Sequence, residues 1–135
     1  MIARILLLSL ALFFSSCGSD VPEFTPSRIL ALKAQNSFSS GDYASLEAMF
    51  AEEFAEGESS SSRAAKFKTL NEVIGKSLSC EVADSSLDAR PGEVARITYT
   101  IASKNVNVNS LNTFVIVKQG GDYKIAMMDV QAVKQ

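Results

Sequence analysis

An α+β fold, with helices first and an antiparallel sheet after them, is what this chain predicts, and three observations predict it. Apolar residues recur at helical spacing between Ile29 and Ile74. After Gly75 the period drops to two. Two glycine-bearing tetrapeptides, Arg90-Pro91-Gly92-Glu93 and Gln119-Gly120-Gly121-Asp122, then divide the alternating stretches as hairpin turns do. Segregated helices and strands exclude a parallel α/β architecture.

Thr25-Pro26 reads as an N-cap followed by a first-turn proline, with Ile29, Leu32, Ala34 and Phe38 as the apolar stripe of a first helix ending at Gly41. Asp42 caps the next helix. Tyr43, Leu46, Met49, Phe50 and Phe54 form its stripe, with Glu47, Glu52, Glu53 and Glu56 on the other sides. Ser59 to Ser62 is a loop that also caps a third helix, marked by Ala64, Phe67, Leu70 and Ile74 and closed by Gly75. Leu78, Cys80 and Val82 lie on the apolar side of a first strand. In the second, Ala95, Ile97, Tyr99 and Ile101 alternate with Val94, Arg96, Thr98 and Thr100. Asn105 to Ser110 is a polar, flexible connection to the strands Leu111–Lys118 and Tyr123–Val130.

A leader precedes these elements. Met1 to Arg4 is a short positive start, Ile5 to Phe14 is apolar, and Ser15, Ser16 and Cys17 follow. That is the layout of a secretory signal. The apolar run is too short for a permanent span, which takes about 20 residues. Residues 18–26, small, polar or proline, form a tether to a domain over 27–135. Removing 1–16 takes away Arg4 alone, so the net charge moves from −2 to −3.

The full chain of 135 residues has 13 basic and 15 acidic side chains, two Cys and no His. Without His, every His-based triad, His general base and His-containing zinc or haem site is excluded. A mildly acidic chain with no basic block argues against a nucleic-acid partner. Cys80 alternates with Leu78 and Val82, which predicts a buried, inert thiol.

The small residues directly before Cys17 resemble the lipobox of bacterial lipoproteins, with Phe14 where Leu or Val is usual. The resemblance implies cleavage between Ser16 and Cys17, acylation of Cys17 and attachment to the membrane of the cell envelope through that lipid. Gly18, standing where Asp would retain such proteins on the inner membrane, favours the outer membrane if there are two, facing the periplasm or the cell surface.

The helix opening Gly41-Asp42-Tyr43 with Leu46 and Phe50, the third helix ending in Gly75-Lys76, and the closing strands Phe114-Val115-Ile116-Val117 and Gly121-Asp122-Tyr123-Lys124-Ile125 resemble the nuclear transport factor 2-like superfamily of cystatin-like cones. More narrowly, they look like its small lipoproteins of unknown function. The resemblance covers residues 27–131 and implies a curved antiparallel sheet of about four strands wrapped on helices, with a pocket at its open end.

Some members of that superfamily are enzymes with a carboxylate base and a phenol in an apolar cavity. Here Asp129, on a face with Tyr123, Ile125 and Met127, and Tyr99 are the pair that could meet, and Tyr43, Phe50, Tyr99, Phe114, Met127 and Asp129 are the candidate pocket lining. The simpler expectation is that Asp129, at a strand end, points to water and Tyr99 fills core with its hydroxyl at the edge. Asp84 is no better as a catalytic acid. Glu47, Glu52, Glu53, Glu56 and Glu58 lack the spacing of a calcium loop and read as a solvated face, balanced by Arg63, Lys66 and Lys68 in surface pairs worth little. No cofactor or metal is predicted.

With Phe114, Ile116, Ile125 and Met127 facing the helices, Val115, Val117, Met128 and Val130 lie on the other face, where pairing into a homodimer would cover them. The expected function is therefore a non-catalytic, membrane-anchored cone domain for self-association or binding of an envelope protein. A binder of a small apolar ligand is the alternative, and an isomerase- or dehydratase-like enzyme comes third.

Overall fold

Small side chains set the first helix close to the sheet. The computed structural model describes residues 26–134, and in it α1 (Pro26–Ser40) buries Ser27, Ala31, Ala34, Gln35 and Phe38. Ile29 and Leu32 are half-buried on its flanks, so the buried stripe is turned from the one the apolar pattern predicts. Polar partners on the sheet account for the turn. Ser27 Oγ lies 2.8 Å from the Tyr99 hydroxyl, and Gln35 Oε1 accepts a 2.7 Å hydrogen bond from Asn112 Nδ2. The predicted signal over 1–16, the lipidation site Cys17 and the tether to Thr25 lie outside the described residues. Among the described residues no helix is long and apolar enough to cross a membrane.

Asp42 caps α2 (Tyr43–Ala48), accepting from the Ser45 amide at 3.2 Å and the Ser45 hydroxyl at 2.6 Å. These bonds hold its carboxyl below the usual aspartate range. The helix predicted to run on to Phe54 stops instead, and α3 (Glu52–Ala55) starts afresh. The cause is tertiary. Ala51 N–H donates to Ile125 O and Ile125 N–H to Met49 O, both at 2.8 Å, so Phe50 pairs as a parallel bridge with the last strand. Two strand-like bonds replace the helical ones the backbone gives up.

Ser59 caps α4 (Ser60–Ile74) by accepting from the Ser62 amide at 3.2 Å. Its C-terminal carbonyls are taken up by the loop 105–110. Asn107 and Val108 amides donate to Ile74 O at 3.0 and 3.1 Å, and Val106 N–H donates to Lys76 O at 2.9 Å. The connection expected to be flexible is a cap, held internally by Asn105 Nδ2 bonds of 3.0 Å to both Val108 O and Ser110 Oγ. Gly75 makes this docking geometrically feasible. Its φ of +81° with ψ of 175° is a conformation essentially reserved for glycine, and an added Cβ would sit 2.9 Å from the Asn107 amide nitrogen. Gly75→Ala is therefore expected to lower stability by about 1–3 kcal/mol, read from the urea midpoint.

The sheet is an antiparallel meander, β1-β2-β3-β4, of β1 (Ser77–Asp88), β2 (Arg96–Asn105), β3 (Ser110–Gln119) and β4 (Asp122–Ala132). Both predicted turns form. Glu93 N–H donates to Arg90 O at 3.1 Å around Gly92, and Gly120-Gly121, both at positive φ, close the β3–β4 hairpin as a type I′ turn. The register puts Ile101, Tyr99 and Ile97 beside Asn112, Phe114 and Ile116 on the helix-facing side. Ser103 and Ser110 continue that side, both buried.

Irregularities bend the strands and reset parity. Val115 pairs with Met127 but Ile116 with Ile125, so Ala126 is an extra residue in β4. Beyond it Met128 and Val130, not Met127, face the helices: Met128 pairs with Phe114, while Met127 is 44% exposed. In β1 the register slips around Leu78 and Ala83, and Leu78, predicted on the apolar side, is 68% exposed. The core is one cluster that includes Phe38, Leu46, Phe67, Tyr99, Ile101, Phe114 and Ile125.

Candidate functional site

The six residues predicted to line a pocket do not converge. Tyr99 and Phe114 are register partners within the core and Phe50 is buried beside them, stacked on Phe54 at 4.4 Å between ring centres. Tyr43 is half-buried at the start of α2, its hydroxyl accepting from Asn71 Nδ2 at 2.9 Å. Met127 and Asp129 lie on the outer face of the sheet, carried there by the extra residue Ala126. Asp129 and Tyr99 thus stand on opposite faces, and the carboxylate–phenol pair is not assembled. The Tyr99 hydroxyl, expected at the edge, is buried against Ser27. Asp84 is exposed.

The acidic segment departs from a uniformly solvated face at Glu47. Arg63, only 3% exposed, grips that carboxylate with both Nε and a terminal nitrogen, and its Nη1 donates to Glu58 O at 3.1 Å. The guanidinium carbon lies 5.4 Å from the Phe50 ring centre and 5.6 Å from that of Phe54. The bonds to Glu47 raise the Arg63 pKa above its ordinary value. This corrects the expectation of a weak surface pair. One signal was available in the sequence, since Arg63 precedes Phe67 by one helical turn on the stripe that continues to Ile74. Glu58 does behave as a surface acid, its carboxyl held below its usual range mainly by Lys66 at 2.9 Å. Among the described residues, no three His, Cys, Asp or Glu side chains are grouped to hold a metal ion.

Cys80 also departs from expectation. It is half-buried and disulfide-bonded rather than a core thiol. The reason for the exposure is positional: β1 is an edge strand. Cys80 lines a cleft of about 400 Å³ with Ser79, Ser103, Asn109, Ser110 and Leu111. A wider groove of about 770 Å³ separates the start of α1 from the β3–β4 hairpin, where Ile29, Leu30 and Tyr123 are surrounded by Lys33, Lys118 and Lys124. Neither cleft is apparent from local sequence patterns, because each joins residues far apart in the chain.

The outer face of the sheet has an uncharged centre. Thr98, Thr100, Thr113, Val115 and Met127 are mutual neighbours there, with Leu111 beyond them. Arg96 and Asp129 stand at its margin. Of the apolar residues expected on this face, Val115 and Val117 are present, and Met127 replaces Met128 and Val130.

Helices packed on one side of a four-stranded, bulged antiparallel meander, with a parallel bridge from the helical layer to the last strand, make this an α+β cone of the nuclear transport factor 2-like fold. Solved structures share it. A scytalone dehydratase-like protein from Novosphingobium aromaticivorans matches with a TM-score of 0.50 at 10% identity, over 99% of this chain and 89% of its own. Bd1075 of Bdellovibrio bacteriovorus matches with a TM-score of 0.53 at 13% identity, over 80% of this chain. This match spans only 40% of the Bdellovibrio chain. At such identities the likeness is one of fold. No protein-family model and no curated protein matches the sequence.

Proposed function

We propose that this protein is a lipid-anchored envelope protein whose cone domain binds a protein partner, or a second copy of itself, through the outer face of its sheet. The observation that carries the reading is the uncharged centre of that face, Thr98, Thr100, Thr113, Val115 and Met127, within a charged margin. Depletion of charge at the centre with charge kept to the rim is the compositional mark of a protein interface. The anchor rests on the leader and Cys17. Two acyl attachments, one through sulfur and one through the amine, make such an anchor stable. A sulfur held in a thioether takes no part in a disulfide, so labelling decides which chemistry Cys17 follows.

A binder of a small ligand is the second reading, favoured by the cleft at Ser79, Cys80, Ser103 and Ser110, whose volume of about 400 Å³ suits a small molecule. The cone interior offers it less, because Tyr99, Ile101, Phe114, Ile116 and Ile125 are each at most 5% exposed.

One experiment tests both parts of the leading reading. The full chain is expressed in bacteria fed labelled fatty acid, then crosslinked in intact cells. The wild type is expected to carry label and to give a discrete crosslinked species. Cys17→Ala should lose the label and leave the membrane fraction. Val115→Lys should keep the label and lose the crosslinked species. Undiminished label in Cys17→Ala overturns the anchor, and an unchanged crosslink in Val115→Lys overturns the sheet-face interface.

A further inference from the structure

Lysines collect around one apolar floor in this otherwise acidic molecule. In the groove between α1 and the β3–β4 hairpin, Ile29, Leu30 and Tyr123 are half-buried, while Lys33 and Lys118 are exposed at the rim. Lys118 Nζ lies 5.9 Å from the Tyr123 ring centre, and Lys124 Nζ donates to Ala48 O at 3.1 Å. Asp122 is the acid lining the groove. The ion pairs found among the described residues engage Arg63, Lys66 and Arg90, and none of these three lysines. Their positive charge is therefore uncompensated by a paired carboxylate there.

The groove also lies at the end of the domain that follows Cys17 in the chain. Pro26, the first residue of α1, is part of its lining. Residues 17–25 can reach at most about 30 Å when fully extended. We infer that this groove docks on the anionic membrane surface, its lysines taking the phosphate of an acidic phospholipid headgroup while Ile29, Leu30 and Tyr123 rest against the headgroup layer. The inference rests on the lipid-anchored reading, because it is the tether that holds this end of the cone near the bilayer. Lysine suits the task as a compact, strongly hydrated charge on a flexible stem, and a tyrosine at the same level has an apolar ring and a polar tip. With the lipid supplying attachment, the groove sets orientation, turning the α1 end toward the bilayer.

The test uses the processed chain, residues 17–135, as Cys17→Ala, so that no acyl group contributes. It is floated with vesicles of phosphatidylcholine alone or with added phosphatidylglycerol. Binding is expected to the anionic vesicles and to fall at high salt. K33Q/K118Q is expected to weaken it roughly thirtyfold, given the usual contribution of a lysine near such a surface. Both side chains are exposed, so the fold is retained, which circular dichroism verifies. K68Q/K104Q, which removes equal charge from other parts of the surface, should leave binding unchanged. Equal loss in the two double variants, or no preference for anionic vesicles, overturns the inference. So does displacement by inorganic phosphate at matched ionic strength, which would make the groove a small-anion site. Fatty-acid labelling of Cys17 is scored separately: label without vesicle binding removes the groove's role alone, and vesicle binding without label removes the anchor alone.

Discussion

Arg63→Leu is expected to destabilise the domain by about 3–5 kcal/mol, read from urea unfolding followed by circular dichroism. The size follows from what the variant leaves behind. Glu47 is three-quarters covered, with its side chain 27% exposed, and Arg63 is its charge partner. Removing the guanidinium leaves a partly covered carboxylate without its charge partner and empties the space beside the Phe50 and Phe54 rings. Arg63→Lys should recover only part of the loss, since an ammonium cannot make the two-pronged contact that Nε and Nη2 make with Glu47. The double variant E47L/R63L is the informative control. Replacing both charges with apolar groups removes the unpaired carboxylate, so most of the stability should return. If the double variant is as unstable as R63L, packing of the guanidinium rather than the ion pair holds α2 to α4.

Phe114→Ala is expected to cost about 3–5 kcal/mol for a different reason. Its ring is fully buried at the centre of the sheet, between register partners Tyr99 and Met128. Truncation leaves a cavity that the flanking strands, held in continuous register on the β2 side, cannot close. The same variant tests whether the cone has room for a ligand. Benzene added to F114A should raise its thermal midpoint by occupying the new space, whereas the wild-type midpoint should stay where it is. A rise of similar size in the wild type would show that the interior already accepts an apolar guest, and would favour the ligand-binding reading over the interaction reading.

What the sequence made legible was local. The hairpins followed from Pro91-Gly92 and Gly120-Gly121, and the end of α4 from Gly75, because in each a backbone conformation selects the residue. What it concealed was set by distant partners. Nothing about Ala126 marks it as an extra residue, yet that one insertion moves Met127 and Asp129 to the outside and brings Met128 in. Met49 to Ala51 has helical periodicity, but hydrogen bonds to Ile125 outweigh it. The same insertion separates the residues of the expected pocket. Period-two counting holds only as long as the register does, and a single bulge reverses every assignment beyond it. Gln35 and Asn112 carry no sequence mark of burial, because each is buried only by virtue of the other, 77 residues away.

The bridge between Phe50 and Ile125 has a consequence for how the chain is made. It joins the helical layer, synthesised early, to β4, the last strand to emerge. Helices α2 and α3 therefore lack their hydrogen-bonding edge until nearly the whole polypeptide is available. Contacts of such long sequence separation form late, after the local hairpins. A growing chain that has not yet delivered β4 leaves Phe50, Phe54 and the sheet edge uncovered, and stays open to chaperones until its final strand arrives.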